Sequence, residues 1–296
     1  MRAYRDDHHA QSVKQRPGRA AVPSAAAGIL ALQRMVGNAE VARSITRAIP
    51  VQRAVTLQSD DGASVLTDRD VCDLLVEEGG SAIPFAVVGL MSQENAIGDS
   101  HALYARAQQL AATAEPEPTI EDYFASVVQQ RSAQASTQAA VWEVEYDQIA
   151  RLLADTRVNV DQDDLEHVQD EGIATSGLAT CVAVGLTARR GPTRYSALAH
   201  WSTITSPRSL FRTIEDSFTG DQDDWPRLNQ MDSVKYFAVG GSRDSMKEQA
   251  ELLEYMIRTG RTTAGVKMVN DEHLRDRGKI VVIDNAGHIF YGVTPD

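Results

Sequence analysis

The chain has 296 residues, 43% hydrophobic and 24% charged, enough for a sizeable core in one domain or two. Its net charge of −12 argues against the whole protein being a nucleic-acid binder. No run approaches about 18 uninterrupted apolar residues, so no membrane span is expected; Cys72 and Cys181 form neither a disulfide framework nor a metal spacing, so no metal or cofactor is expected either.

The charge is unevenly spread. Residues 1–55 carry nine Arg or Lys against three acids, which leaves about −18 for the remainder. Residues 1–24 are polar and basic, broken by Pro17, Gly18 and Pro23, the composition of a disordered leader; His8 and His9 read as a surface pair. From the plausible cap Ser24 onward, Ile29, Leu30, Leu32, Met35, Val36, Val41 and Ile45 recur at near-helical spacing, divided at Gly37-Asn38.

Within that segment Leu32-Gln33-Arg34, Gly37-Asn38, Val41 and Arg43 resemble a leader of actinobacterial proteins linked to extracellular contractile injection systems. The resemblance implies a cargo made in the bacterial cytoplasm without a Sec signal peptide. Such a cargo is loaded by an injection-particle partner and delivered into a target cell. It says nothing of the cargo's chemistry. An amphipathic helix docked on its own domain is the other reading of the same residues.

Residues 56–165 read as mainly helical. Asp68 caps an expected helix over 69–78 that Gly79-Gly80 ends, and Cys72 lies on its core face among Val71, Leu74 and Leu75. A further helix is expected over 100–113, before the Pro116-Glu117-Pro118 break. A long helical pattern then runs from Thr119 through Phe124, Val128, Val141, Trp142 and Ile149 to Leu153. The acidic run 161–171 reads as a solvated connector with His167 exposed; its spacing does not fit a calcium loop.

The stretch 175–201 carries the chemistry. Cys181 precedes the β-branched run Val182-Ala183-Val184-Gly185-Leu186, Arg189-Arg190-Gly191-Pro192 marks a turn, and Ser196 to Ala199 lead back to His200. Two neighbouring strands would bring thiol and imidazole to one end of a sheet. There the imidazole can activate the nucleophile and protonate a leaving group, while a third polar group fixes its tautomer. The turn Ser176–Thr180 could aim backbone N–H groups at an oxyanion. From these residues alone Cys181 could equally be a buried small hydrophobe.

Thr175, Gly177, Leu178, Cys181, Val182, Ala183 and Val184, followed by Ala199-His200, resemble the chemoreceptor glutamine deamidase family CheD, whose cysteine–histidine fold is shared with the cytotoxic necrotizing factor toxins. The resemblance covers roughly residues 165–296; the family's Gly-Ser before the cysteine is Ala179-Thr180 here. It implies an α/β, mixed-sheet domain over 166–296, behind the helical region and the basic leader. It also implies Cys181 as nucleophile, His200 as general acid/base and Thr175 as third catalytic member. The activity it implies is a protein-glutamine glutaminase acting on a protein with a reactive glutamine, with transglutamination when an amine replaces water. A chemotaxis-type deamidase and a non-enzymatic adaptor with a buried Cys181 are the alternatives.

Beyond His200 the pattern alternates as in an α/β domain. A helix is expected from Ser206-Pro207 through Phe218, then a loop with an exposed Trp225. A strand over 234–239 ends in Gly240-Gly241, and a helix follows over 242–258. Strands over 266–269, 279–283 and 288–293 finish the chain, the last two joined by Asn285-Ala286-Gly287. His273 and His288 read as structural.

Overall fold

The computed structural model describes residues 54–296 except 137–140, 219–224, 262–264, 271, 275–276 and 296. The basic leader and its injection-system motif lie outside the described residues. Residues 54–296 form one compact α/β unit.

Two five-stranded sheets make its body. The first has the order β11-β10-β8-β9-β6, built from β6 (Leu165–Gln169), β8 (Val182–Arg190), β9 (Thr193–Trp201), β10 (Ser233–Gly240) and β11 (Gly265–Met268). The second has the order β4-β13-β12-β7-β5, from β4 (Val141–Glu143), β5 (Val158–Val160), β7 (Ile173–Thr175), β12 (Lys279–Ile283) and β13 (Ile289–Val293). Both are mixed: β10 runs parallel to β11 but antiparallel to β8, and β4 runs parallel to β13.

Alternation along the strands decides what each face meets. On the first sheet Val182, Val184, Ala197, Ala199 and Ala238 join an apolar cluster with helices α6 (Pro207–Asp216) and α7 (Met246–Arg258). Its other face presents Cys181, Ala183, Leu198, Phe237 and Val239 to Ile173, Val281, Ile283 and Tyr291 of the second sheet. The far side of the second sheet, with Ala174, Ile280 and Val282, is covered by Ile149 of α5 (Tyr146–Ala154). The result is helix, sheet, sheet, helix, with the cysteine between the sheets.

Gly185 is what lets the central strands close. A Cβ there would lie 2.2 Å from the Ala197 carbonyl oxygen and 2.7 Å from the Phe237 ring. No side chain fits.

The segment expected to be mainly helical holds helices α1 (Asp68–Glu77), α2 (Ala86–Gln93), α3 (Ser100–Ala111) and α4 (Ile120–Ala135). It also holds β1 (Val55–Ser59), β2 (Gly62–Leu66) and β3 (Ile97–Gly98), which pair as a small sheet. The cap of α1 is Thr67, not Asp68, because Thr67 and Asp70 bond reciprocally in a capping box. The long pattern from Thr119 to Leu153 is not continuous: β4 separates α4 from α5, since Val141 and Trp142 pair with Ile289 and Phe290 at the sheet edge. β4 and β5 thus tie this segment into the sheet of the C-terminal part.

Two other expectations are corrected by packing. The acidic run is no mere connector, for its second half is edge strand β6, registered against β9 from Leu165↔Ala199 to Gln169↔Tyr195. Trp225 is not exposed: its ring lies 4.6 Å from His167, 5.1 Å from Tyr195 and 5.1 Å from Phe218, an edge-on aromatic cluster that also half-buries His167.

Candidate active site

The β8–β9 hairpin sets the register of the reactive residues. Ala183 stands opposite His200 and Val182 opposite Trp201. Side chains alternate, so Cys181, two residues before Ala183, shares a face with His200 as its diagonal neighbour. Diagonal pairs are about 7–8 Å apart at the backbone, within reach of longer side chains. Both residues lie on the face between the sheets. His200 is 4% exposed and Cys181 8%, a narrow opening at the end of the strand, where the preceding Thr180 is exposed.

Thr175 arrives from the other sheet. Its hydroxyl lies 2.8 Å from the Val160 carbonyl oxygen and 2.8 Å from His200 Nδ1. That hydroxyl has one proton. The carbonyl can only accept, so the hydroxyl donates to Val160 and accepts from His200 Nδ1–H. The arrangement leaves the lone pair on Nε2, which is buried and has no hydrogen-bond partner among the described residues. A buried polar atom without a partner costs about 1–3 kcal/mol, so a donor arriving at Nε2 would be stabilised there. The structure therefore brings Thr175 to His200 and places Cys181 on the same face.

The electrostatics hold both groups neutral. Burial lowers the His200 pKa below 6.5, against the opposing charges of Asp163 and Asp161. Burial likewise raises the Cys181 thiol above 9.0; a Thr180 hydrogen bond opposes this, Asp163 adds to it and Lys279 opposes it. A standing thiolate–imidazolium pair is thus disfavoured. The chemistry that fits is transfer of the thiol proton to Nε2 as the sulfur attacks.

Burial of neutral His200 gives stability a sign. The folded state binds a proton less readily than the unfolded chain, so this contribution is complete above about pH 6.5 and is lost as pH falls toward the lowered folded value. Denaturant unfolding at pH 7.5 and 5.5 should show a smaller acid loss for His200→Gln than for the parent chain. Equal losses in both would contradict it.

Thr175→Val removes the hydroxyl while keeping the shape. We expect kcat to fall about 10- to 100-fold as the imidazole loses its orienting partner, while Thr175→Ser keeps most of it. Under the glutaminase expectation that the sequence resemblance raises, steady-state kinetics on a glutamine peptide measures both.

Two other described histidines are held in ion pairs away from Thr175. His288 Nδ1 pairs with Asp284 at 3.0 Å and His101 with Glu78 at 2.8 Å, both at exposed positions. Cys72 is fully buried and its thiol is pushed up to about 12, chiefly by burial. Among the described residues no group of three or more His, Cys, Asp or Glu is placed to hold a metal, and no helix is long and apolar enough to cross a membrane.

Sequence reasoning missed Lys279 and Asp163. Lys279 is fully buried, and its Nζ donates to the Ala179 carbonyl at 2.7 Å. The one signal was a lysine heading the otherwise apolar KIVVI strand. Asp163, at φ +63°, accepts from the Ser202 hydroxyl. It also borders a groove of about 370 Å³ with Asp164, His200, Trp201, Ile204 and Leu210. A larger cleft of about 510 Å³, around Arg157, Glu171 and Asp284, involves none of the three predicted site residues.

No protein-family model and no curated protein matches this chain. Among solved structures it is similar to the crystal structure of the C-terminal domain of CNFy from Yersinia pseudotuberculosis, at 11% identity and a TM-score of 0.21. The match covers 48% of this chain and 51% of that one, so the chain spans about half of that domain.

Proposed function

We propose that this chain is a protein-glutamine deamidase using Cys181, His200 and Thr175. The observation that carries the reading is the Thr175–His200 Nδ1 hydrogen bond, which leaves an unpartnered Nε2 on the same inter-sheet face as Cys181. Cys181 Sγ bonds to the side-chain carboxamide carbon as its proton passes to His200 Nε2. The tetrahedral intermediate collapses, the C–N bond breaks, and the departing nitrogen takes that proton to leave as ammonia. Water, deprotonated by His200 Nε2, then attacks the thioester carbon, the C–S bond breaks, and the sulfur takes that proton back, leaving glutamate and the restored Cys181 thiol. An amine in place of water gives transglutamination. The product loses an amide donor group and gains a negative charge, which can switch a target protein.

The groove beside His200 is lined by Asp163, Trp201 and Leu210 and does not include Cys181, so it offers a substrate chain an approach to the imidazole only. We read the protein as an injected effector, loaded through its leader and acting on a target-cell protein; the injection-system leader motif supports this. A chemotaxis-type deamidase is the second host for the same chemistry. The adaptor reading is favoured by the burial of Cys181 and its raised pKa. Mass spectrometry of target-cell lysate, scored for glutamine-to-glutamate shifts that disappear with Cys181→Ala, separates it from the other two. Shifts that persist with the variant, or none with the parent chain, would end the enzyme reading.

A further inference from the structure

Three consecutive carbonyls around the nucleophile are each held by a different element. The Ala179 carbonyl accepts from Lys279 Nζ at 2.7 Å, the Thr180 carbonyl from the Ser245 hydroxyl at 2.8 Å, and the Cys181 carbonyl from the Gly241 amide at 2.8 Å. The donors come from β12, from the turn before α7, and from the end of β10. Each is itself fixed. Lys279 and Leu178 exchange backbone hydrogen bonds at 3.2 Å in both directions, which sews the turn to β12. Ser245 Oγ accepts from the buried Gln249 Nε2 at 3.0 Å and from the Ser242 amide at 3.2 Å. At Gly241, with φ +83°, a Cβ would sit 2.4 Å from that same Gln249 nitrogen.

A peptide unit is planar, and its N–H points opposite to its C=O. Pinning the carbonyls of Ala179 and Thr180 therefore fixes where the amides of Thr180 and Cys181 point. The Thr180 N–H faces away from Lys279 Nζ and the Cys181 N–H away from Ser245 Oγ. The turn's other recorded amides are already committed, Leu178 to the Lys279 carbonyl and Ala179 to that of Gly177.

Resting on the deamidase reading, we infer that Lys279, Ser245 and Gly241 form a carbonyl clamp that turns the Thr180 and Cys181 amides into the oxyanion hole. Lys279 and Ser245 are positioning residues here, since each acts through a loop carbonyl that it holds. A buried lysine is costly unless its ammonium is bonded, and this placement gives it a role that an apolar residue cannot take.

A peptide aldehyde ending in a glutamine-like side chain tests the clamp. Its carbonyl carbon takes Cys181 Sγ and forms a tetrahedral thiohemiacetal whose oxygen seeks the same amides. Iodoacetamide alkylates the same sulfur through no oxyanion. Lys279→Met and Ser245→Ala should each weaken aldehyde affinity and lower kcat about 10- to 100-fold, with KM little changed. Ser245→Ala should keep the alkylation rate within about twofold of the parent chain, whereas Lys279→Met also removes a charge that lowers the thiol pKa and should slow alkylation as well. Lys279→Arg, which keeps both donor and charge, should recover part of the loss. A parallel fall in alkylation for Ser245→Ala would reduce the clamp to general support of the loop, and unchanged aldehyde affinity in folded variants would overturn it. Aldehyde capture without ammonia release would sink the deamidase reading while still testing the clamp. A parent chain that captures no aldehyde would overturn both.

Discussion

Cys181→Ala and Cys181→Ser are expected to abolish ammonia release from a glutamine substrate, by at least about 1,000-fold. Alanine removes the nucleophile outright. Serine keeps the shape but presents a hydroxyl far less acidic than a thiol to an imidazole whose basicity burial has already lowered. Stability should fall only slightly, because the loss of one buried sulfur costs about 1 kcal/mol. The pair of outcomes matters together: an inactive variant whose melting temperature falls by no more than roughly 2–4 °C isolates the chemistry from the fold. Retained ammonia release in both variants, measured with a coupled assay, would remove Cys181 from the mechanism.

Gly185→Ala is expected to cost the fold about 3 kcal/mol and lower the melting temperature by roughly 6–12 °C. The added methyl would meet the Ala197 backbone at 2.2 Å and the Phe237 ring at 2.7 Å, so β9 and β10 would both have to move away from β8. Because Cys181 precedes β8 and His200 ends β9, the same movement should disturb their register and lower activity. Gly89→Ala is the matched control. Gly89 is exposed in α2 with nothing within 4 Å of an added Cβ, and alanine there should stabilise by up to about 1 kcal/mol. Equal melting temperatures for Gly185→Ala and the parent chain would show that the hairpin has slack that the packing denies.

What the sequence displayed was what lies close along it. The β8–β9 hairpin could be read because a β-branched apolar run precedes Arg189-Arg190-Gly191-Pro192 and the apolar Ala197-Leu198-Ala199 follows it, and its register follows from the turn. Helix α6 announced itself through Ser206, whose side chain caps it, and α3 through the proline break after it; the Asp99 cap of α3 was not read. The second sheet was far less visible. β4, β5 and β7 are three residues each, too short for a periodic signal, and β4 pairs with β13 and β7 with β12, in each case more than a hundred residues further along the chain. Trp225 looked exposed because its loop is polar; the aromatic partners that cover it come from three other segments. The clamp was invisible for the same reason, since Lys279 and Ser245 meet the cysteine loop only after folding.

The division of the triad between two layers has a consequence of its own. The thiol and the imidazole ride on one β-hairpin, and the hydroxyl that sets the imidazole's protons arrives with a different sheet. A half-assembled chain would already possess its sulfur and its base while lacking tautomer control.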